Sequence, residues 1–129
     1  MTVTEIIDQF KRDYPGKNII CLPEVNPTEI ICEIEPTTEH TGYSVIIAAE
    51  VKAVAHYHLK STEVYEVLEG KLEFHVGNKI IALKPGGTYT VKPRQVHYAV
   101  GDWTIIKVTS YPGWTVEDHI LANMAGHNG

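Results

Sequence analysis

His56, His58, Glu63 and His97 are the side chains in this sequence best placed to do chemistry. Three of them fall in the run His56-Tyr57-His58-Leu59-Lys60-Ser61-Thr62-Glu63, which continues through Val64 and Tyr65 to Gly70. Two His one residue apart point to the same face of a β-strand, because strand side chains alternate with period 2. Glu63 follows after a four-residue turn, and His97 can return from a later strand. Three imidazoles and one carboxylate form a borderline ligand set suited to one divalent transition metal ion: Fe, Mn, Ni or Zn. The competing reading is a hydrogen-bonded polar cluster without a cation. It would leave a carboxylate inside an apolar interior, which is costly. His40, His75, His119 and His127 lack ligand spacing and are read as surface or capping residues.

The elements that must position these residues are mostly strands. Before them comes one helix. Thr2-Val3-Thr4-Glu5 matches a capping box, in which a hydroxyl and a Glu three residues later satisfy free backbone N–H groups. Ile6, Ile7, Phe10 and Tyr14 recur at helical spacing, and Pro15-Gly16 ends the helix. Its apolar stripe is expected to pack on the outside of the strand-rich region. From Ile19 to Ser110 the texture is extended, with segments Ile19–Leu22, Ile30–Ile34, Tyr43–Ala49, Val54–His58, Val64–Leu68, Lys71–Val76, Ile80–Leu83, Tyr89–Val91, Val96–Val100 and Trp103–Ser110. Turn residues separate them at short intervals, as in an all-β sandwich or barrel. Val76-Gly77-Asn78-Lys79 reads as a tight hairpin, and Lys84-Pro85-Gly86-Gly87 as a second turn. After Tyr111-Pro112-Gly113, the run from Thr115 to Asp118 is expected to cap a short C-terminal helix or turn, with Ile120, Leu121 and Met124 on the helix if it forms. Residues 125–129 read as a frayed tail.

At 129 residues the chain fits one domain: helix and turn over 1–18, β-barrel over 19–110, C-terminal segment over 111–129. Apolar residues make up 43%, which argues for a globular protein. Apolar runs such as Val45-Ile46-Ile47-Ala48-Ala49 are far shorter than the ~20 residues that cross a bilayer. The N-terminal residues carry no basic-then-apolar signal pattern, so the expected location is cytoplasmic. A formal charge of −5 disfavours sequence-independent nucleic-acid binding, which needs a basic footprint. Cys21 and Cys32 are not spaced as a redox pair and read as reduced, buried thiols.

His-x-His-x4-Glu-x6-Gly, unbroken from His56 to Gly70, resembles the first motif of the cupin superfamily. Gly87-x5-Pro93-x3-His97 resembles the second, and the sixteen residues from Lys71 to Gly86 give the short spacing of compact single-domain (cupin type-2-like) members. The resemblance covers roughly Val45 to Val108. It implies a double-stranded β-helix, or jelly-roll barrel, with the metal inside on the positions of His56, His58, Glu63 and His97. The chain departs from the family pattern at three turn or support positions. Glu50 stands where Gly is frequent, Gln95 lies where a Gly usually precedes the last His, and Gly101 takes the place of a terminal Asn.

Similar small cupins include dioxygenases, decarboxylases, isomerases and lyases, so the resemblance implies a metal-dependent enzyme acting on a small oxygenated metabolite. Four protein ligands on an octahedral metal would leave two positions for substrate oxygens. The alternative is a non-catalytic module that holds a small ligand through the metal. Tyr65 shares the strand face of Glu63, so its phenol is expected near the metal, as barrel filler or as an acid–base group. A group of cupin lyases is similar here, with a Tyr two positions after the ligand Glu serving as base. Tyr98 is expected to face away from the interior. The strand-rich region from Ile19 to Ile34 is expected to help form a symmetric homodimer.

Overall fold

The structure, a computed structural model, describes residues 1–39 and 41–122. Among the described residues the single α-helix, α1 (Val3–Asp13), is closed at its start by the expected capping box. The Thr2 N–H donates to Glu5 Oε1 at 2.8 Å, and the Glu5 N–H donates to Thr2 Oγ1 at 3.1 Å. Lys11 and Arg12 occupy the last turn, at the negative end of the helix dipole. Ile6 and Phe10 lie one turn apart on the buried face and pack on Ile30, Cys32, Ile47, Ala49 and Ile105. The helix therefore covers the outside of the sheet. Among the described residues no helix is long and apolar enough to cross a membrane.

Ten strands follow among the described residues, all joined in one curled sheet. In chain order they are β1 (Asn18–Leu22), β2 (Glu29–Glu35), β3 (Ser44–Lys52), β4 (His56–Tyr57), β5 (Thr62–Glu69), β6 (Leu72–Val76), β7 (Lys79–Leu83), β8 (Thr88–Val91), β9 (His97–Tyr111) and β10 (Ile120–Leu121). The main path runs β1-β2-β3-β9-β4-β10, while β5 lies between β8 and β9, and β6 between β7 and β9. All pairings are antiparallel. Alternation sorts the side chains. On β3, Ala48 turns inward to the barrel core with Tyr65, Val67, Phe74, Val91, Ile106 and Val108, while Ile47 and Ala49 turn outward to α1. Between Val76 and Lys79, Gly77 alone takes a positive φ (56°), and between Lys84 and Gly87 it is Gly86 (86°), following Pro85.

Two segments expected as separate strands are one. β9 runs fifteen residues, pairing β6 through His97–Gly101 and then β5 from Ile105 onward, while β3 pairs it at Val100 and again from Thr104 to Ser110. The change of partner falls at a corner where Trp103 has φ 52°. Of the expected short C-terminal helix or turn, the structure forms the turn: a single 3-10 turn, Val116–Asp118, followed by β10. Ile120 and Leu121 give their backbone to Tyr57 and His56 of β4, so the chain is extended where a helix would have to form. Met124, His127, the rest of 123–129, and His40 lie outside the described residues. Cys32 is buried as expected, but Cys21, on the edge strand β1, is only half-buried; both are free thiols.

Glu50 occupies one of the departures from the family pattern. It is 4% exposed, on the interior side of β3, directly opposite Glu29 of β2. Burial first, and then the charge of Glu29, raise its carboxyl well above the usual carboxylate range; burial raises Glu29 as well. A raised folded-state pKa means that the pair favours folding while protonated. That contribution is complete below the unfolded value of about 4.3 and is lost as pH rises through the folded value. Glu50→Gln is therefore expected to raise the thermal midpoint relative to wild type near pH 8 and to leave it little changed near pH 4. Melting curves across that range check it; an equal shift at both ends would contradict the argument.

Candidate metal centre

β4 and the first residue of β9 bring His56 and His97 together, as direct cross-strand partners. His58 follows in the loop leaving β4, and Glu63 enters on β5, whose Glu63, Tyr65 and Val67 are buried on one face. His56, His58, Glu63 and His97 are 7%, 2%, 4% and 1% exposed, and one ligand-type atom from each lies within 4.8 Å of all the others. The four residues singled out by spacing thus form one buried cluster.

Backbone carbonyls set the orientation of all three imidazoles. His56 Nδ1 donates to Val54 O at 2.7 Å, His58 Nδ1 to Asp118 O at 2.8 Å, and His97 Nδ1 to Gln95 O at 2.9 Å. A carbonyl oxygen only accepts, so each Nδ1 carries the hydrogen and each neutral ring keeps a lone pair on Nε2. His58 Nε2 and His97 Nε2 lie 3.0 and 3.1 Å from the same oxygen, Glu63 Oε1. His58 Nε2 is buried and makes no hydrogen bond of acceptable geometry despite that closeness. Lone pairs converging on a carboxylate repel one another unless an added proton or a cation lies between them. The donor set and the orphaned nitrogen both fit a divalent cation, and a ring nitrogen fixed by a carbonyl on its far side is the usual support for such a ligand.

The electrostatics follow the same geometry. Burial and the neighbouring His97 push His56 down to about 3. Burial acts to lower His58 as well, but the Glu63 carboxylate outweighs it and holds the imidazole above its ordinary value. For Glu63 burial works upward and is overcome by His58 and His97, which hold the carboxyl far below its usual range.

Tyr65 lies where the strand face predicts. Its hydroxyl donates to Glu63 Oε1 at 3.3 Å, and its ring packs on Phe74 with centroids 4.6 Å apart. Burial, then Glu63, keeps the phenol well above its ordinary pKa. Tyr98 faces outward, stacked on His75 at 4.3 Å.

Four residues at or behind the site carry no spacing signal. Ser110 Oγ donates to Glu63 Oε2 at 3.1 Å, from the β9 position directly opposite Glu63. His119, expected as a surface or capping residue, follows the 3-10 turn and stacks on His56 with centroids 4.4 Å apart. Trp114 Nε1 donates to its Nδ1 at 3.2 Å. Asp118 supplies the carbonyl that orients His58. None carries a local signal; each depends on where a distant strand returns.

A family model for the cupin domain matches residues 42–102, which hold all four clustered residues. Among solved structures, Streptomyces Pac13, described as a unique nucleoside dehydratase, superposes with a TM-score of 0.66 at 14% identity over 81% of this chain and 85% of that one. An RmlC-like cupin from Shewanella frigidimarina superposes with a TM-score of 0.66 at 19% identity over 81% of this chain and 90% of its own. At such identities the likeness is one of fold. A curated relative, the probable DNA-directed RNA polymerase I subunit RPA2 of Schizosaccharomyces pombe, is 24% identical over 139 aligned positions. The match takes in 95% of this chain, which spans only 11% of that subunit's length.

Proposed function

We propose that this chain, a cupin by its double-stranded β-helix and its matched domain, is a metal-dependent enzyme acting on a small oxygenated metabolite. One observation carries the reading: three imidazoles, each with Nδ1 tied to a carbonyl, turn toward one buried carboxylate. His56, His58, Glu63 and His97 would hold one divalent ion, Fe, Mn, Ni or Zn. When bound, it supplies Lewis-acid polarisation of substrate oxygens. Tyr65 holds a proton at its hydroxyl beside Glu63 and is the group we assign to proton exchange with substrate. Ser110 holds the other oxygen of Glu63 in place.

Elimination of water or isomerisation of a hydroxylated substrate suits a Lewis acid with one adjacent proton-bearing phenol. Pac13, a nucleoside dehydratase also seen with uridine, makes nucleosides a natural class to include. The test is a turnover screen of protein loaded with Fe(II), Mn(II), Ni(II) or Zn(II) against hydroxy acids, sugars and nucleosides. Metal-dependent conversion is expected. Tight stoichiometric retention of one compound without conversion would replace the enzyme by a metal-dependent ligand-binding module.

A homodimer completes the proposal. Among the described residues β1 is an edge strand, paired only with β2, and it exposes Ile20 and Leu22 (36% and 44%). An open edge with apolar side chains invites pairing with a second copy. Light scattering is expected to give twice the chain mass of 14.4 kDa; a mass near 14.4 kDa over a wide concentration range would contradict it.

A further inference from the structure

The loop Leu59-Lys60-Ser61 joins His58 to Glu63 and so sets how far apart these two ligand-type residues can lie. Its three consecutive backbone N–H groups all point at one side chain. Asp118 Oδ1 accepts from Leu59 N at 2.9 Å and from Lys60 N at 3.1 Å. Asp118 Oδ2 accepts from Ser61 N at 3.0 Å and from Lys60 N at 3.2 Å. The main-chain oxygen of the same residue accepts from His58 Nδ1 at 2.8 Å. One residue, 7% exposed and nearly sixty positions away in sequence, therefore grips both the loop and the imidazole at its start.

The surroundings keep Asp118 in register with that loop. β10 pairs Ile120 with Tyr57 and Leu121 with His56, and Ala122 N donates to Ala55 O at 3.0 Å. The Ser61 hydroxyl donates to Pro112 O at 2.9 Å, a second tie from the loop to the same segment. A carboxylate is the natural partner for three adjacent N–H groups, since it offers about four lone-pair sites and no donor. Without it, three N–H groups would lose their partner at once, and the loop would be free to change the spacing between His58 and Glu63. The carbonyl that holds the His58 ring would move with the segment.

We propose that Asp118 is a positioning residue of the metal centre. It holds the His58–Glu63 loop through its carboxylate and the His58 ring through its carbonyl. The inference rests on the metal reading of the four-residue cluster. Partners that orient a ligand from behind change metal affinity roughly 10- to 100-fold when removed. Chain stability alone would respond differently: a residue that only stabilises the fold would lower the melting temperature of the metal-free protein and leave affinity unchanged.

Co(II) serves as the probe, because its visible d–d absorption reports ligand geometry as well as occupancy. Asp118→Ala is expected to weaken Co(II) binding about 10- to 100-fold and to alter the d–d band. Asp118→Asn, which keeps the shape but replaces one acceptor by a donor facing N–H groups, is expected to lie between it and wild type. Val116→Ala, in the same turn at a position 68% exposed, should bind as wild type does. Wild-type affinity and band in Asp118→Asn and Asp118→Ala, or in Asp118→Asn alone if the alanine variant does not fold, would overturn this role and leave the metal reading standing. Failure of the wild-type protein itself to bind Co(II) would overturn both.

Discussion

Glu63→Ala should leave the protein with little or no bound metal. Its carboxylate is the sole anion of the four-residue cluster, so the variant asks three neutral imidazoles to hold a divalent charge. The expected loss of affinity exceeds the roughly 10- to 100-fold seen on removal of a mere supporting partner. His56→Ala acts in the same direction by deleting a ligand whose Nδ1 is already oriented by Val54 O. His75→Ala is the control, because its ring lies on the outer face, stacked on Tyr98 and paired with Glu73 at 2.6 Å. Elemental analysis of the three variants and of a His56/Glu63 double variant reads the result directly. Equal metal in wild type and the double variant would end the assignment.

Tyr65→Phe should keep fold and metal but reduce turnover by roughly 10²-fold or more, the scale of general acid–base assistance. The ring loses only its hydroxyl, so its packing on Phe74 survives. The proton carried by the hydroxyl oxygen 3.3 Å from Glu63 Oε1 disappears with it. A hydroxyl whose only task was to orient Glu63 would reveal itself through metal affinity, with turnover of the fully loaded protein unchanged. Measuring metal content beside kcat separates the two. Full activity in loaded Tyr65→Phe would return Tyr65 to a packing role.

Much of the site was legible because its signals are local. The His56–His58 pair and the Glu63–Tyr65 pair each exploit strand alternation, which needs no knowledge of the rest of the chain. The capping box at Thr2 and Glu5 and the apolar stripe of α1 are likewise written within one or two helical turns. The approximate strand list held for the same reason, although His56–Tyr57 proved shorter than its apolar run and two expected strands proved to be halves of β9. Apolar alternation continues smoothly through a corner, so the change of partner at Trp103 leaves no mark in it.

Sequence by itself determined which four residues cluster, that the chain is mostly strand, and which side of β5 faces the barrel. Tertiary structure alone decided what stands behind those residues. Ser110 reaches Glu63 because the β5–β9 register sets them opposite, and a slip of one residue would turn it away. Asp118 and His119 reach the site because the 3-10 turn ends at Asp118 and the chain then runs extended as β10 beside β4, a placement that capping signals alone do not give. Even Glu50 and Glu29, two ordinary acids in the sequence, become facing carboxyls, Glu50 buried, only when β2 and β3 align. Spacing along one strand fixes direction, because the backbone alternates by covalent geometry. Proximity between strands rests on register, which emerges only when the whole sheet closes around a shared core.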